Sequence, residues 1–180
     1  GSGGDNARLR PSDTGWSKET LAPGYCALSL LAAEDARGRP TLRLSNDRHY
    51  YVRNGHEQMW DIGERRFLGA ADGWDAPQLW GMGIASRDLN GDGRDEVMLT
   101  SMGDQLLQLA EADGQYRPAP YDIGTYAQRP HTGEDGRPST GWHAQFGDID
   151  HDGRPAPFIS KGHVDQMTGM ALEDPTNLLA

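Results

Sequence analysis

The chain is short of cysteine, of basic residues and of long apolar runs. Only one of its 180 residues is a cysteine, Cys26, so no disulfide can form within the chain. Acidic residues outnumber basic ones by 27 to 17, and the net charge of −10 argues against the basic face that nucleic acids and anionic membranes attract. No apolar run reaches the roughly 18 residues of a membrane-spanning helix. We therefore expect neither nucleic-acid binding nor membrane insertion.

Glycine and proline are plentiful by contrast, at 24 and 11 residues, and this balance favours short strands and turns over long helices. The chain also contains an internal repeat. Each copy starts with a Gly-Arg pair and continues into a short apolar or alternating run that ends in Ser or Thr. Repeats of this kind predict one structural unit per copy. The three aligned segments are 38–45, 93–100 and 153–160.

A repeat unit of roughly 40–60 residues with about four short strands is typical of a β-propeller blade. The predicted fold is all-β: a partial β-propeller of about two and a half four-stranded blades. Since propellers close with about four to eight blades, we expect further blades or other subunits at the open edge. The predicted divisions are a tag or disordered start at 1–13, a degenerate first blade at 14–76, a second blade at 77–136 and an incomplete third blade at 137–180.

The middle repeat contains a loop with the ligand spacing of a calcium site. Oxygen-bearing side chains occupy loop positions 1, 3, 5 and 9, glycine occupies position 6, and the carbonyl of position 7 can complete the ring. Position 12 is Leu99, where a helical calcium loop needs a bidentate glutamate, so a loop between two strands is expected instead. The predicted Ca²⁺ ligands are Asp88, Asn90, Asp92 and Glu96, with the carbonyl of Arg94.

The other two copies of this loop have fewer of the residues that could bind calcium. The third has Ala156 at position 9, which removes the closing carboxylate and predicts a lower affinity. The first has Ala33 at position 1 and Arg37 at position 5, so we expect it to be metal-free, with Arg37 as a candidate internal cation. The weaker predicted ligands of the third loop are Asp148, Asp150 and Asp152, with the carbonyl of Arg154.

A second group of acidic residues follows the apolar strand of each repeat. Asp47, Asp104 and Asp165 would share the opposite rim of a propeller, where ligands commonly dock. The alternative is that these side chains cap turns through local hydrogen bonds.

No nucleophile elbow, zinc-protease or phosphate-loop motif is present, so no catalytic residue is predicted. A non-catalytic module that binds protein or glycan is favoured, and a secreted hydrolase or lyase with an acidic rim site is the alternative.

The pattern Asp-x-Asn-x-Asp-Gly-x-x-Glu before an apolar strand resembles the FG-GAP (VCBS-type) repeat of integrin-α-like propellers. The surrounding elements, Trp80-Gly81-Met82-Gly83-Ile84-Ala85 upstream with Gln58-Met59-Trp60 and Leu106-Leu107, are similar to those of the cartilage acidic protein (CRTAC, ASPIC/UnbV-associated) family. The likeness covers roughly residues 14–180. It implies a seven-bladed, calcium-stabilised propeller that is extracellular or periplasmic, serves binding rather than catalysis, and belongs to a longer protein.

Overall fold

The structure is a computed structural model that describes residues 4–47, 54–102, 105–126, 140–162 and 176–179. Within these ranges the chain folds into short antiparallel strands, and its helical content is limited to two single 3₁₀ turns, Ala70–Asp72 and Tyr121–Ile123. The strands form four separate sheets. The predicted all-β class is therefore confirmed. No helix among the described residues has the length and apolar character needed to cross a membrane.

Three of the sheets follow one another along the chain. One lies within each of the divisions 14–76, 77–136 and 137–180. In each of them consecutive strands pair with their neighbours, so the chain completes one sheet before it begins the next. Sheet 1 consists of β3 (Ala27–Glu34), β4 (Pro40–Asn46), β5 (Gln58–Asp61) and β6 (Arg66–Phe67). Sheet 2 consists of β7 (Gly81–Arg87), β8 (Glu96–Ser101), β9 (Gln105–Ala110) and β10 (Tyr116–Pro118). Sheet 3 consists of β11 (Thr140–Gly147), β12 (Ala156–Gly162) and β13 (Asn177–Leu178).

Sheet 2 is buried on both faces, which explains the unbroken apolar run in β8. Val97 and Leu99 point into a core shared with sheet 1, where they meet Met59. Met98 points the other way, into a core shared with sheet 3, where it meets Ile159. Because side chains alternate along a strand, each successive residue of β8 serves a different core. The sheets are therefore stacked face to face in chain order.

A buried arginine connects sheets 1 and 2. The Nη2 atom of Arg43, on β4, donates to the Glu34 carbonyl at 2.8 Å and to the Tyr116 hydroxyl of sheet 2 at 2.6 Å. Burial lowers the pKa of Arg43, and burial raises the pKa of Tyr116. The matching position in β8 is Met98 and in β12 is Phe158, both apolar. The first interface thus places a cation and a hydroxyl at the position where the second has an apolar side chain.

Sheets 2 and 3 approach closely at Gly83. A Cβ atom there would lie 2.9 Å from the Cα of His143 and 2.9 Å from Thr100 Oγ1, closer than backbone can accommodate. We expect Gly83→Ala to lower the free energy of unfolding by about 1–3 kcal/mol, because the two sheets must separate. Urea denaturation measures the loss. Gly147→Ala is the matched control, since its nearest neighbour is the Ile149 side chain at 3.8 Å; equal effects of the two changes would contradict the close approach.

The start of the chain differs from the prediction of a tag or disordered segment at 1–13. Strands β1 (Asn6–Ser12) and β2 (Gly15–Leu21) form a hairpin, the fourth sheet, with a two-residue turn. The hairpin is mostly exposed, and it is held by cross-strand pairing and by ion pairs of Glu19 with Arg8, at 2.6 Å, and with Arg65 in the turn between β5 and β6. Pairing between strands, rather than burial of apolar residues, stabilises this hairpin. The pattern of apolar residues therefore does not predict it.

Candidate metal centre

The loop between β7 and β8 is a tight turn held by its own side chains. Asp88 accepts hydrogen bonds from the backbone of Gly91 at 2.7 Å, of Asp92 at 3.2 Å and of Gly93 at 2.9 Å. These amides, that of Gly93 foremost, hold the pKa of Asp88 below its ordinary value. Gly91 and Gly93 have φ of 78° and 83°, a conformation that glycine adopts without strain. The turn therefore keeps Asp88 ionised.

The remaining predicted ligands follow the same pattern of side chain to backbone bonds. Asn90 Oδ1 accepts from the Asp92 amide at 2.9 Å, and Asp92 Oδ1 accepts from the Arg94 amide at 2.9 Å. Each side chain is thereby directed back over the loop. The Arg94 guanidinium lies 3.0 Å from Asp92 Oδ2, so it neutralises one carboxylate of the group.

Glu96 closes the middle loop from the first position of β8. The residue is buried, and its Oε2 atom accepts from the Leu89 amide at 2.8 Å, which directs the carboxylate toward the start of the loop. Burial raises the pKa of Glu96, and the charge of Asp92 adds to the rise. A buried carboxylate beside a second carboxylate is a group that a divalent cation stabilises.

The loop between β11 and β12 reproduces this geometry with three carboxylates. Gly153 donates to Asp148 Oδ2 at 3.1 Å, as Gly93 donates to Asp88. One oxygen each from Asp148, Asp150 and Asp152 lies within 4.8 Å of the other two. Calcium–oxygen distances of about 2.3–2.6 Å place the ligands of one ion within about 5 Å of one another. A cavity of 230 Å³ borders Asp150 and Asp152.

In this third loop the position of Glu96 is taken by Ala156, which is buried and provides no oxygen side chain. Position 4 also differs, because His151 has a φ of 61° where the middle loop has Gly91. A non-glycine residue in the left-handed region carries strain. The third loop therefore has the converging carboxylates but lacks the closing ligand.

In the first loop the carboxylate of Asp35 is neutralised by an arginine of the same loop, and this arginine is not the predicted Arg37. Asp35 Oδ1 accepts from the backbone of Arg37 and of Arg39, both at 2.9 Å. The Arg39 guanidinium is 2.6 Å from Asp35 Oδ2 and 3.8 Å from Asp61 Oδ2. The Arg37 side chain instead reaches toward the Asp113 carbonyl of sheet 2, at 3.5 Å. Arg39, and not Arg37, is thus the internal cation.

Sequence reasoning overlooked Arg39 and Asp61, although one signal was present. Arginine occupies position 7 of all three loops, as Arg39, Arg94 and Arg154, so each loop has a cation available to its carboxylates. In the first loop that cation is bound by two buried carboxylates, whereas Arg94 pairs with one exposed carboxylate, that of Asp92.

The predicted acidic rim is described only in part. Asp47 is half-buried after β4, and its backbone amide donates to the Cys26 carbonyl at 3.1 Å. Asp104 and Asp165 lie outside the described residues, so whether the three meet at one rim stays a prediction.

Comparison with known families places this arrangement in one repeat type. Residues 88–155 match the model of a family described as FG-GAP-like repeat. The match starts at the first ligand position of the middle loop and ends just before β12, so it covers β8–β10 of sheet 2, strand β11 and the predicted ligands of both acidic loops. No curated protein and no solved structure matches the chain. The chain therefore contains an FG-GAP-type repeat.

Proposed function

We propose that the chain is a calcium-stabilised β-propeller segment of the FG-GAP class that serves protein or glycan binding, or assembly, outside the cytoplasm. The observation that carries the proposal is the convergence of Asp148, Asp150 and Asp152 within 4.8 Å. Hard oxygen ligands without nitrogen or sulfur favour Ca²⁺ over softer metals. The match to an FG-GAP-like repeat supports the same assignment.

The middle loop is the stronger of the two proposed sites. It has the same backbone bonds as the third loop, and it adds Glu96 at the position where the third loop has Ala156. Its residues would hold Ca²⁺ through Asp88, Asn90, Asp92 and Glu96, and the ion would supply the positive charge that these groups share. The turn holds Asp88, Asn90 and Asp92 over the loop through backbone bonds. Among the described residues only the third loop brings three carboxylates within 4.8 Å of one another, so an ion at the middle loop would have to draw Asp88, Asp92 and Glu96 together.

Both loops lie where β7 meets β8 and β11 meets β12, so a bound ion would hold together two neighbouring strands of one sheet. This position favours a structural role for the metal over a catalytic one. The CRTAC likeness and a location outside the cell or in the periplasm remain part of this proposal. A hydrolase or lyase on an acidic rim would need Asp47, Asp104 and Asp165 to converge with a proton donor.

Thermal unfolding in calcium and in chelator tests the proposal. A ligand at one hundred times its dissociation constant stabilises the folded state by about 2.7 kcal/mol. For a chain of this size, such a gain raises Tm by about 5–10 °C. We expect calcium to produce this rise and magnesium to produce less, because magnesium requires a smaller octahedral shell. Equal Tm values in calcium and in chelator would reject the proposed stabilisation by calcium.

We expect Asp152→Ala to remove only the smaller part of the calcium-induced rise in Tm. The change deletes one carboxylate of the third loop, which already lacks a ligand at Ala156, and leaves the middle loop intact. Calcium titrations of Tm in the variant and the wild type measure the difference. A variant that loses the whole response would show that the third loop, and not the middle one, is the main site.

A further inference from the structure

The middle loop contains an Asn-Gly pair, Asn90 and Gly91, at its third and fourth positions. Asparagine is a chemically labile residue, because the backbone nitrogen of the next residue can attack its side-chain carbonyl carbon. Glycine leaves that nitrogen open, since it has no Cβ atom to block the approach. Asn90 and Gly91 are both exposed, and nothing lies within 4 Å of the position that a Cβ atom of Gly91 would take. The loop thus contains two neighbouring groups that can react with each other.

The nucleophile of this pair is the amide nitrogen of Gly91. Its N–H donates to Asp88 Oδ1 at 2.7 Å, which is the shortest of the three bonds that Asp88 accepts from Gly91, Asp92 and Gly93. A hydrogen bond to a carboxylate is charge-assisted, and it draws the hydrogen away from the nitrogen. Asp88 therefore makes the attacking nitrogen more electron-rich.

The electrophile is the side-chain carbonyl carbon of Asn90. Its oxygen, Oδ1, accepts from the Asp92 amide at 2.9 Å, and this bond folds the side chain back over the loop. Attack at the carbon would place negative charge on Oδ1, and a backbone N–H that already points at the oxygen stabilises that charge. The leaving atom, Nδ2, lies 3.4 Å from Asp92 Oδ2. The loop thus has a bonding partner for each atom that changes in the reaction.

A second Asn-Gly pair, Asn54 and Gly55, provides a comparison within the same chain. Asn54 is exposed like Asn90, but Gly55 is buried, so its nitrogen is less open than that of Gly91. The pair precedes β5 and lies outside the calcium loops. Whatever happens to Asn54 therefore reports on the chemistry of the Asn-Gly sequence without a calcium ligand.

We propose that Asn90 is a site of self-catalysed deamidation in the metal-free middle loop. The Gly91 nitrogen forms a bond to Asn90 Cγ, and the Cγ–Nδ2 bond breaks. Nδ2 leaves as ammonia with the proton that the Gly91 nitrogen gives up through solvent. One water molecule then opens the resulting imide ring at either of its two carbonyl carbons. The products are an aspartate at position 90 and an isoaspartate, in which the main chain runs through the side chain.

The two products change the loop in opposite directions. Aspartate at position 90 is the residue type that the third loop has as Asp150, one of the three carboxylates that lie within 4.8 Å of one another. An additional charged ligand raises the affinity for calcium. Isoaspartate lengthens the main chain by one methylene group, so Asp88 no longer meets the amides of the turn, and the site is lost. The modification thus divides the chains into a tighter and a defective form.

Protection by calcium follows from the same geometry, and this step rests on the proposed function. In the calcium-bound loop Asn90 Oδ1 would be a ligand, so the carbonyl carbon would be held away from the Gly91 nitrogen. The reaction then proceeds only from metal-free loops. At one hundred times the dissociation constant, metal-free loops are about one in a hundred. We therefore expect calcium at this concentration to slow the deamidation of Asn90 about 100-fold.

Peptide mass spectrometry on the 180-residue chain tests the proposal. Samples are held in chelator or in calcium and digested at successive times, and the peptides that contain Asn90 and Asn54 are quantified. In chelator we expect the Asn90 peptide to exchange an NH₂ for an OH group and to separate into two products by chromatography. Calcium should suppress this conversion and leave the rate at Asn54 unchanged. Asn90→Asp provides the standard for the aspartate product, and its Tm should respond to lower calcium concentrations than that of the wild type.

The outcomes separate this inference from the proposed function. Asn90 that stays intact in chelator overturns the modification site. Equal slowing by calcium at Asn90 and Asn54 also overturns it, because stabilisation of the whole fold would account for both. Equal rates at Asn90 in chelator and calcium, in a chain whose Tm rises with calcium, overturn the protection. Deamidation of Asn90 in a chain whose Tm does not respond to calcium would reject the calcium proposal and retain the modification site.

Discussion

Asp92→Ala is expected to remove most of the calcium-induced rise in Tm. Asp92 is the fifth position of the middle loop, and its side chain lies between the Arg94 amide and the Arg94 guanidinium. Without this carboxylate the loop loses one of its charged ligands, and the remaining oxygens bind calcium too weakly to stabilise the folded state by the expected 2–3 kcal/mol or so. Thermal melts over a calcium series measure the change. In chelator the variant should differ from wild type by less than about 1 kcal/mol, because the lost ion pair is partly exposed.

Asp113→Ala is a closely matched control for this experiment. Asp113 also accepts from a backbone amide two residues later, that of Gln115 at 2.9 Å, and it also pairs with an arginine, Arg117, at 3.0 Å. It lies in the β9–β10 turn and not in a calcium loop. We expect the control to keep the full calcium response. A full response in Asp92→Ala as well would show that the middle loop does not bind the ion.

Arg39→Ala is expected to destabilise the chain by about 3 kcal/mol, in calcium and in chelator alike. The change leaves the carboxylates of Asp35 and Asp61 buried without their cation. Removing one partner of a buried ion pair costs about 3–5 kcal/mol, and the partial exposure of Arg39 places the expected loss at the lower end. Urea denaturation with and without calcium measures it. Arg39→Lys should restore part of the loss, since an ammonium keeps the charge but not the paired geometry.

Arg37→Ala is the control for this second prediction. Its guanidinium donates to the Asp113 carbonyl at 3.5 Å, its side chain lies against Gly114, and the residue is exposed. We expect a loss below about 1 kcal/mol, the usual range for exposed positions. Equal losses at the two arginines, or a loss at Arg39 that calcium reverses, would contradict the assignment of Arg39 as the internal cation of the first loop.

The strands of the repeats were predictable because burial leaves a sequence pattern. Strand β8 spans Glu96–Ser101 and coincides with the apolar run of the aligned segment 93–100. The N-terminal hairpin was not predictable in this way. Its residues alternate poorly, and Pro11 falls within β1. What stabilises the hairpin is pairing between strands and the ion pairs of Glu19, which depend on residues distant in sequence.

The acidic loops were predictable for a different reason. A calcium turn is local, so position and residue type together determine which oxygens point inward. Which of the two arginines, Arg37 or Arg39, binds the carboxylate of Asp35 could not be read from the loop sequence alone. Asp35 binds both backbone amides, and the turn that results directs Arg39 back to Asp35 while Arg37 projects to the neighbouring sheet. Asp61, the second carboxylate at Arg39, comes from β5 and enters only when sheet 1 has formed.

Isothermal titration of the metal-free chain with calcium tests the central claim most directly. The account predicts two binding events per chain: a tighter one at the middle loop, which Asp92→Ala removes, and a weaker one at the third loop, which Asp152→Ala removes. The heat of the tighter event should persist in excess magnesium. No calcium heat in a folded wild-type chain, or binding that survives both substitutions together, would contradict the account.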